Sequence, residues 1–251
     1  MLTLIGLGLF DELDLTLRGL EAAKNADKIY IELYTGKWSG SLENLSGMVG
    51  KRLVELTRSD LEENSDNIVE EAKDKDIVIL VQGDPLVATT HASLLMEARK
   101  KDVEIQVLHN ASIFSSIAET GLHIYKFGQA VTIPFKDKTK GNLPQSIYDV
   151  IAGNKERDLH TLCLLDIIGE KGEYLNVSDA LEILLRLEEE NGKDVIARDS
   201  KVVVFSAGKA SKVFYGAVKK LLKRAFELPA VIVIPAKLHF TEKEYLELYE
   251  I

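Results

Sequence analysis

Short apolar runs alternate with longer segments of helical periodicity along most of the chain. The runs are rich in Ile, Val and Leu, which is typical of buried strands, and the segments between them repeat apolar residues at helical spacing. Parallel strands joined by crossover helices give this alternation, so the pattern predicts an α/β fold. In the first half the predicted strands cover 2–8, 28–34, 77–81 and 104–108. The predicted helices of this half cover 13–25, 60–74, 89–101 and 112–119.

The pattern breaks at residues 121–145, "GLHIYKFGQAVTIPFKDKTKGNLPQ", where Gly, Pro and charged residues accumulate, and a new series then begins. Ser178 is expected to cap one of its helices. The predicted strands of the second half cover 130–133, 161–166, 201–205 and 230–234. Its predicted helices cover 144–153, 178–190, 211–224 and 241–249. We therefore expect two α/β domains, 1–110 and 111–251.

Composition and charge narrow the class of protein. The 251 residues are 46% hydrophobic and 28% charged, which is the profile of a globular protein. The net charge of −9 disfavours broad binding to a phosphate backbone, so we expect no nucleic acid partner. The apolar amino terminus lacks the basic flank of a signal peptide, and no apolar stretch approaches the roughly 18 residues of a membrane span. These features predict a cytoplasmic protein without a membrane partner.

Few residues show a pattern that predicts chemistry by itself. "GLGLFD" at 6–11 is half of a dinucleotide fingerprint, and Glu32 could bind a ribose. Asp11 replaces the third glycine, however, and its charge would repel a pyrophosphate, so a nucleotide-binding module is the more distant alternative. Cys163, in "TLCLLDII", is expected in the core. The histidines lack metal-ligand spacing, so we assign no metal. We also name no catalytic base.

The stretch "GDPLVATTH" at 83–91 directly follows the apolar run "IVILV" and permits two interpretations. It can be a tight turn in which Thr89 or Thr90 caps the next helix. It can also be a ligand loop, because loops at the carboxyl ends of parallel strands border the crevice where small molecules bind. The residues alone leave both interpretations open.

Several longer stretches carry a family resemblance. They are "IGLGLFDELDLT", "GDPLVATTHASL", "ASIFSSIAETGLHIYKFG", "LHTLCLLDI" and "KLHFTEKEYL". In this order they resemble the diphthine synthases, a branch of the tetrapyrrole-methylase-like group of S-adenosylmethionine-dependent methyltransferases. The resemblance runs nearly end to end. It implies two α/β lobes of the tetrapyrrole-methylase type with S-adenosylmethionine in the cleft between them, S-adenosylhomocysteine as product, and a homodimer.

The resemblance also implies cofactor-binding residues. They are Leu9, Asp84, Val87, Ser112, Ile113, Leu165, Ala207 and Ala230. Three positions depart from the family pattern. Asn110-Ala111 replaces a common Ala-Pro, "FSAGKAS" at 205–211 lacks a common Arg, and Ala230 stands where a His is frequent.

The activity implied is methylation of the amino group of a modified histidine on translation elongation factor 2, in diphthamide synthesis. A methyltransferase of the same architecture acting on a tetrapyrrole is the nearer alternative, although an acidic chain suits a large polyanion poorly. Successive methylation produces a permanent cation, which carboxylates or aromatic faces can accommodate. The aromatic candidates are Tyr34, Trp38, Tyr125 and Phe127.

Overall fold

The structure is a computed structural model that describes residues 1–139 and 143–251. The chain forms two compact units. Unit 1 contains Met1–Ser115 with Gly169–Lys171, and unit 2 contains Ser116–Ile168 with Gly172–Ile251. Part of the predicted break, residues 140–142, lies outside the described residues. That 1–110 and 111–251 are separate domains stays a prediction.

Unit 1 is built on a parallel sheet, as the alternating pattern predicts. Its strand order is β3-β2-β4-β1-β5, and every described pairing is parallel. The central strand "IVILV" is fully buried, as expected for a strand covered on both faces. The strands are β1 (Leu2–Gly6), β2 (Lys28–Glu32), β3 (Leu53–Leu56), β4 (Ile77–Val81) and β5 (Ile105–Leu108).

The helices of unit 1 cover the sheet and differ in detail from the prediction. They are α1 (Leu17–Asn25), α2 (Leu42–Val49), α3 (Arg58–Glu62), α4 (Ser65–Glu71), α5 (Ala92–Lys100) and α6 (Ile113–Ser116), whose last residue belongs to unit 2. Neither α2 nor β3 was predicted. The helix predicted over 13–25 begins later, because the Thr16 side chain accepts the Gly19 amide and caps α1 at that point. The helix predicted over 60–74 is two helices separated at Asn64.

The sheet of unit 2 is largely antiparallel, so the prediction of parallel strands is wrong for this half. Its order is β11-β10-β12-β7-β6, and among the described pairings of this sheet only β6 with β7 is parallel. Two short strands, β8 and β9, form a separate hairpin. The strands are β6 (Val131–Ile133), β7 (Thr161–Leu165), β8 (Ile167–Ile168), β9 (Glu173–Tyr174), β10 (Lys201–Ser206), β11 (Lys212–Ala217) and β12 (Ala230–Ile234).

The helices of unit 2 pack on this sheet and correct two predictions. They are α7 (Gln145–Glu156), α8 (Val177–Asn191), α9 (Val218–Leu221) and α10 (Phe240–Glu247). The helix predicted over 211–224 is wrong for most of its length, because residues 212–217 pair with β10 as β11. The predicted cap Ser178 lies inside α8, and Asn176 caps this helix by accepting the Asp179 amide. Cys163 is fully buried and burial raises the pKa of its thiol, which confirms it as a core residue.

The last residues of the chain lie against the outer edge of β11. The Tyr215 amide donates to the Tyr249 carbonyl at 3.0 Å, and the Ile251 amide donates to the Tyr215 carbonyl at 3.0 Å. These bonds satisfy both backbone groups of Tyr215 that would otherwise face outward from an edge strand.

Glu242 organises the start of α10. Its carboxylate accepts the His123 amide at 2.8 Å, the His239 amide at 2.7 Å and His160 Nε2 at 3.1 Å. The tautomer of His160 follows from its neighbours, because its Nδ1 accepts the Ala236 amide and its Nε2 must therefore carry the proton. Burial alone would raise the pKa of Glu242, but these hydrogen bonds lower it to about 2.

None of the described helices is both long and apolar enough to cross a membrane.

Candidate functional site

The loops that follow β1 and β4 are joined by a reciprocal backbone pair. The Gly8 amide donates to the Gly83 carbonyl at 3.2 Å, and the Gly83 amide donates to the Gly8 carbonyl at 2.8 Å. Both glycines have positive φ angles, 81° and 68°, which residues with a side chain adopt at a cost. The two glycine motifs of the sequence therefore meet at the carboxyl edge of the unit 1 sheet, where α/β proteins bind ligands.

Leu9 lies in the first of these loops and is half-buried. Its amide donates to Asp14 Oδ2 at 3.0 Å, and the Phe10 amide donates to the same oxygen at 2.7 Å. The Leu9 amide is therefore already used inside unit 1. A ligand would contact the Leu9 side chain or carbonyl.

Asp84 is only 5% exposed, and its carboxylate has partners on two strand ends. Oδ1 accepts the Leu86 amide at 3.0 Å, which closes the turn after β4. Oδ2 accepts His109 Nδ1 at 2.8 Å and the Asn110 amide at 3.2 Å. Asp84 thus ties the loop after β4 to the loop after β5, in addition to any contact with a ligand.

The remainder of the "GDPLVATTH" loop is fixed around one carbonyl. The Pro85 oxygen accepts Thr89 Oγ1 at 3.0 Å and His91 Nδ1 at 3.0 Å. Val87 is half-buried, and its amide donates to the Asp84 carbonyl at 3.3 Å. The prediction that Thr89 or Thr90 caps the next helix is wrong. His91 stands at the cap position of α5 without a side-chain cap bond, and Thr90 Oγ1 donates to Glu62.

Ser112 and Ile113 follow β5 on the same side of the sheet. Ser112 is 7% exposed, and its amide donates to Ser115 Oγ at 2.9 Å. Asn110, one of the departures from the family pattern, has a clear local role. Its Nδ2 donates to the Gly6 carbonyl at 2.9 Å and the Asp14 carbonyl at 3.0 Å, so it joins the ends of β5 and β1.

The three candidates of unit 2 lie at one end of its sheet. Ala207 follows β10, and its amide donates to the Pro229 carbonyl at 2.8 Å. Ala230 begins β12 opposite Ser206, the last residue of β10. Leu165 ends β7, which runs antiparallel to β12, so its end lies beside the start of β12. Ala207 and Ala230 are 2% and 5% exposed, so close approach by a ligand would involve mainly their backbone.

The structure thus gathers Leu9, Asp84, Val87, Ser112 and Ile113 at one edge of the first sheet, and Leu165, Ala207 and Ala230 at one end of the second. Sequence reasoning missed His109 and Asn110 as partners of Asp84. The available signal was their place directly after β5, because the carboxyl ends of parallel strands meet at one edge of a sheet.

The candidate residues at the edge of the first sheet suit a ligand that approaches the backbone closely. A Cβ added to Gly83 would be 3.9 Å from the Ala111 carbonyl oxygen and 3.9 Å from the Ser112 Cβ, which is ordinary van der Waals contact, so the positive φ angle favours glycine here. Small residues and backbone groups of this kind fit S-adenosylmethionine, which carries no phosphate. The dinucleotide interpretation loses its ribose ligand, because Glu32 is fully buried and its carboxylate accepts the amide and hydroxyl of Thr35.

Comparisons with known proteins agree on one family. Residues 1–197 match the model of the Tetrapyrrole (Corrin/Porphyrin) Methylases. A diphthine synthase from Methanocaldococcus jannaschii is 44% identical over 98% of both chains. One from Methanococcus maripaludis is 42% identical over 98% of both chains.

Solved structures give the same result for the fold. A crystal structure of diphthine synthase superposes with a TM-score of 0.88 at 38% identity, covering 99% of this chain and 95% of that one. A crystal structure from Entamoeba histolytica superposes with a TM-score of 0.90 at 35% identity, covering 100% of this chain and 98% of that one. The chain therefore belongs to the tetrapyrrole methylases and, within them, to the diphthine synthases.

Proposed function

We propose that the protein uses S-adenosylmethionine to methylate the amino group of the modified histidine on translation elongation factor 2, a step of diphthamide synthesis. The observation that carries the proposal is the similarity to diphthine synthases over 98% of both chains, at 44% identity. S-adenosylhomocysteine is then the product. The proposal includes a cytoplasmic location and a homodimer, as the resemblance implies.

Within this proposal, the candidate cofactor-binding residues lie in small-residue loops of unit 1 and of unit 2. In unit 1 the Gly8–Gly83 pair and the Asp84 hydrogen bonds give these loops a fixed shape. In unit 2 the proposed contacts come from the backbone around Ala207 and Ala230, with Leu165 beside them. No other cofactor or metal is part of the proposal.

The reaction needs positioning more than a strong base. An α-amino group has a pKa of about 8, so a useful fraction is already neutral at pH 7. Its nitrogen attacks the methyl carbon of the sulfonium in line, and the carbon–sulfur bond breaks as the carbon–nitrogen bond forms. Orientation of this kind can supply roughly 7–11 kcal/mol of the barrier. This accounts for the lack of a sequence signature for a catalytic pair.

Transfer of labelled methyl groups tests the function. The protein is incubated with labelled S-adenosylmethionine and elongation factor 2 that carries the aminocarboxypropyl-histidine intermediate. A parallel sample contains the same factor with unmodified histidine. Label should enter only the modified factor. Equal labelling of both factors, or labelling of neither while a tetrapyrrole is methylated, would contradict the proposal.

Direct binding separates the cofactor classes and the oligomeric state. Calorimetry should detect S-adenosylhomocysteine, whereas NAD and a tetrapyrrole should give no saturable heat. Sedimentation equilibrium should give a mass of about twice the 27.9 kDa of one chain. A monomer mass at every concentration would refute the homodimer and leave the activity unaffected.

A further inference from the structure

His109 is an exposed titratable side chain at the carboxyl edge of the unit 1 sheet. It follows β5 directly and stands a few residues before the candidate cofactor residues Ser112 and Ile113. Its Nδ1 lies 2.8 Å from Oδ2 of Asp84, while its side chain is 66% exposed. One side of the ring is therefore fixed by a candidate cofactor residue, and the rest of the ring is open to solvent.

The Asp84 carboxylate decides which nitrogen of His109 is available. A carboxylate only accepts hydrogen bonds, so Nδ1 carries a proton and donates it to Asp84 Oδ2. In its neutral form the ring then has its lone pair at Nε2. Within residues 1–139 and 143–251, no hydrogen bond to Nε2 competes for this lone pair.

Asp84 can hold the ring in one direction because the carboxylate is itself fixed. It is 5% exposed, and it accepts the Leu86 amide at 3.0 Å and the Asn110 amide at 3.2 Å. A buried carboxylate bonded to Nδ1 orients the imidazole of the Ser-His-Asp enzymes in the same way and leaves its Nε2 to move protons. The Asp84–His109 pair has the corresponding arrangement at the candidate site.

The other histidines differ from His109 in burial or in place. His91 is only 2% exposed. The histidines of unit 2 lie around the start of α10 and are His123, His160 and His239. In the part of the chain that the structure describes, His109 is thus the one histidine that is exposed and bonded to a candidate cofactor residue.

The proposed reaction needs a group that removes protons from the acceptor. An amine attacks a methyl group through the lone pair of its nitrogen, and an ammonium has no lone pair. Each transfer to a primary or secondary amine also produces an N-methylammonium, which must lose a proton before it can attack again. Imidazole gains and loses a proton near neutral pH, and an exposed ring can pass that proton to water.

We propose that His109 is the proton acceptor for the amine that receives the methyl group, and that Asp84 positions its ring. Nε2 takes a proton from the ammonium, and the amine nitrogen keeps the electron pair. This pair forms the bond to the methyl carbon as the carbon–sulfur bond breaks, and His109 releases its proton to water. The inference deepens the proposed function and rests on it for the identity of the amine.

Substitution by asparagine separates proton transfer from the bond to Asp84. The carboxamide of His109→Asn can donate to Asp84 from the place of Nδ1, but it has no basic nitrogen in the place of Nε2. The single-turnover rate of methyl transfer to modified elongation factor 2 should fall at least about tenfold at pH 7. This is less than the roughly 10²–10⁴-fold typical of a general base, because part of the amine is already neutral. An unchanged rate would overturn the proposal.

Affinity for the cofactor shows whether His109 only supports Asp84. The dissociation constant of S-adenosylhomocysteine for His109→Asn, measured by calorimetry, should stay within about twofold of the natural value, since the bond to Asp84 is kept. A loss of affinity as large as the loss of rate would make His109 a structural partner of Asp84 and contradict the proposal. His239→Asn is the matched control, because His239 is an exposed cap of α10 and asparagine is also a good cap. It should leave the rate unchanged.

The pH dependence distinguishes a proton acceptor from a structural residue. Above about pH 8, the ordinary pKa of an α-amino group, most of the amine is neutral and needs no base. The rate of His109→Asn relative to the natural chain should therefore rise from about a tenth at pH 7 to at least about one half at pH 9.5. A constant ratio over this range would refute the assignment, because a lost structural bond does not depend on the protonation of the acceptor.

Chemical rescue tests the same step with a different variant. His109→Ala removes the ring, and added imidazole should raise the rate of this variant saturably at pH 7. 1-Methylimidazole has no N–H for Asp84 and should rescue less. Imidazole should not accelerate the natural chain. Absence of rescue in a His109→Ala protein that has a natural circular dichroism spectrum would count against proton transfer at this place.

The natural chain separates this proposal from the proposed function. If it labels modified elongation factor 2 and His109→Asn labels the factor equally fast at pH 7, the assignment of His109 is wrong and the function stands. If the natural chain labels no elongation factor 2, the proposed function is wrong and the assignment of His109 falls with it.

Discussion

Gly8 shows how one residue fixes the conformation of the loops that follow β1 and β4. Its φ of 81° is unfavourable for any residue with a side chain, and an added Cβ would lie 2.5 Å from the Asp14 Cβ. We expect Gly8→Ala to lower the free energy of unfolding by more than about 1 kcal/mol. Urea denaturation followed by circular dichroism measures this change.

Gly47 in α2 provides the matched control. No atom lies within 4 Å of a Cβ added there. Gly47→Ala should therefore raise the free energy of unfolding by roughly 0.5–1 kcal/mol, because alanine loses less backbone freedom in a helix. Similar values for the two variants would show that the loop conformation at Gly8 is not required.

Asp84 closes the predicted turn and has a further structural role that the sequence did not reveal. The resemblance suggests a cofactor residue, and the structure adds bonds to Leu86, His109 and Asn110. Asp84→Ala should weaken binding of S-adenosylhomocysteine at least about tenfold and also lower the melting temperature, because buried donors lose a charged acceptor. Calorimetry and thermal denaturation measure the two effects.

Asp84→Asn is the control for this prediction. The amide keeps an oxygen for the Leu86 amide but exchanges one acceptor for a donor facing His109 and Asn110. It should lose less stability than Asp84→Ala. A lower melting temperature with unchanged cofactor affinity in both variants would make Asp84 a turn residue only.

At the scale of elements, Glu242 makes the start of α10 sensitive to acid. Its pKa of about 2 is depressed from an ordinary value of 4.5, so the stability it provides is complete above about pH 4.5. That stability is lost as the pH falls from about 4.5 towards about 2, where the carboxylate is protonated. Glu242→Gln should unfold more easily at neutral pH and lose less of its remaining stability over this range.

Urea denaturation at a series of pH values measures this dependence, and Glu244→Gln is the matched control. Glu244 lies on the same helix and is exposed. Its substitution should leave the acid profile unchanged. The same steep loss of stability in Glu242→Gln as in the natural chain would assign the profile to other carboxylates.

At the level of single elements, strands with continuous apolar residues could be predicted from the sequence. Strands whose conformation depends on pairing with a neighbouring strand could not. "IVILV" and "AVIVI" are buried strands at the predicted positions. "LVEL" is a short, half-exposed strand at a sheet edge and has too few apolar residues to be recognised. "KVFYGA" lies in the segment 211–224, whose pattern predicts a helix. Its pairing with β10 makes it a strand.

For the candidate site, the sequence pattern predicted where the loops lie but not which ligand they bind. The positions of the loops follow from strand ends, which the pattern gives. The assignment to S-adenosylmethionine came from the family resemblance, because small residues and backbone groups do not name a ligand. The partners of Asp84 follow a different strand, so only the position of that strand end in the sheet could indicate them, and no local pattern around Asp84 does.

At the scale of the molecule, we predict that bound cofactor protects the chain from limited proteolysis. Limited proteolysis should cut first within 135–143, part of which lies outside the described residues. Added S-adenosylhomocysteine should slow the cut, because a ligand that binds only the folded chain opposes its local or global unfolding. First cleavage inside "IVILV" or "VVVF" would count against separate domains.

The pairing of the chain end with β11 has a consequence for self-association. Open strand edges recruit strands from other molecules, and this recruitment leads to fibrils or runaway polymers. At Tyr215 both outward backbone groups are already bonded to residues 249 and 251, so a foreign strand would first have to displace them. The second sheet is thereby protected at the centre of this edge, and the proposed dimer is not expected to form by strand addition at Tyr215.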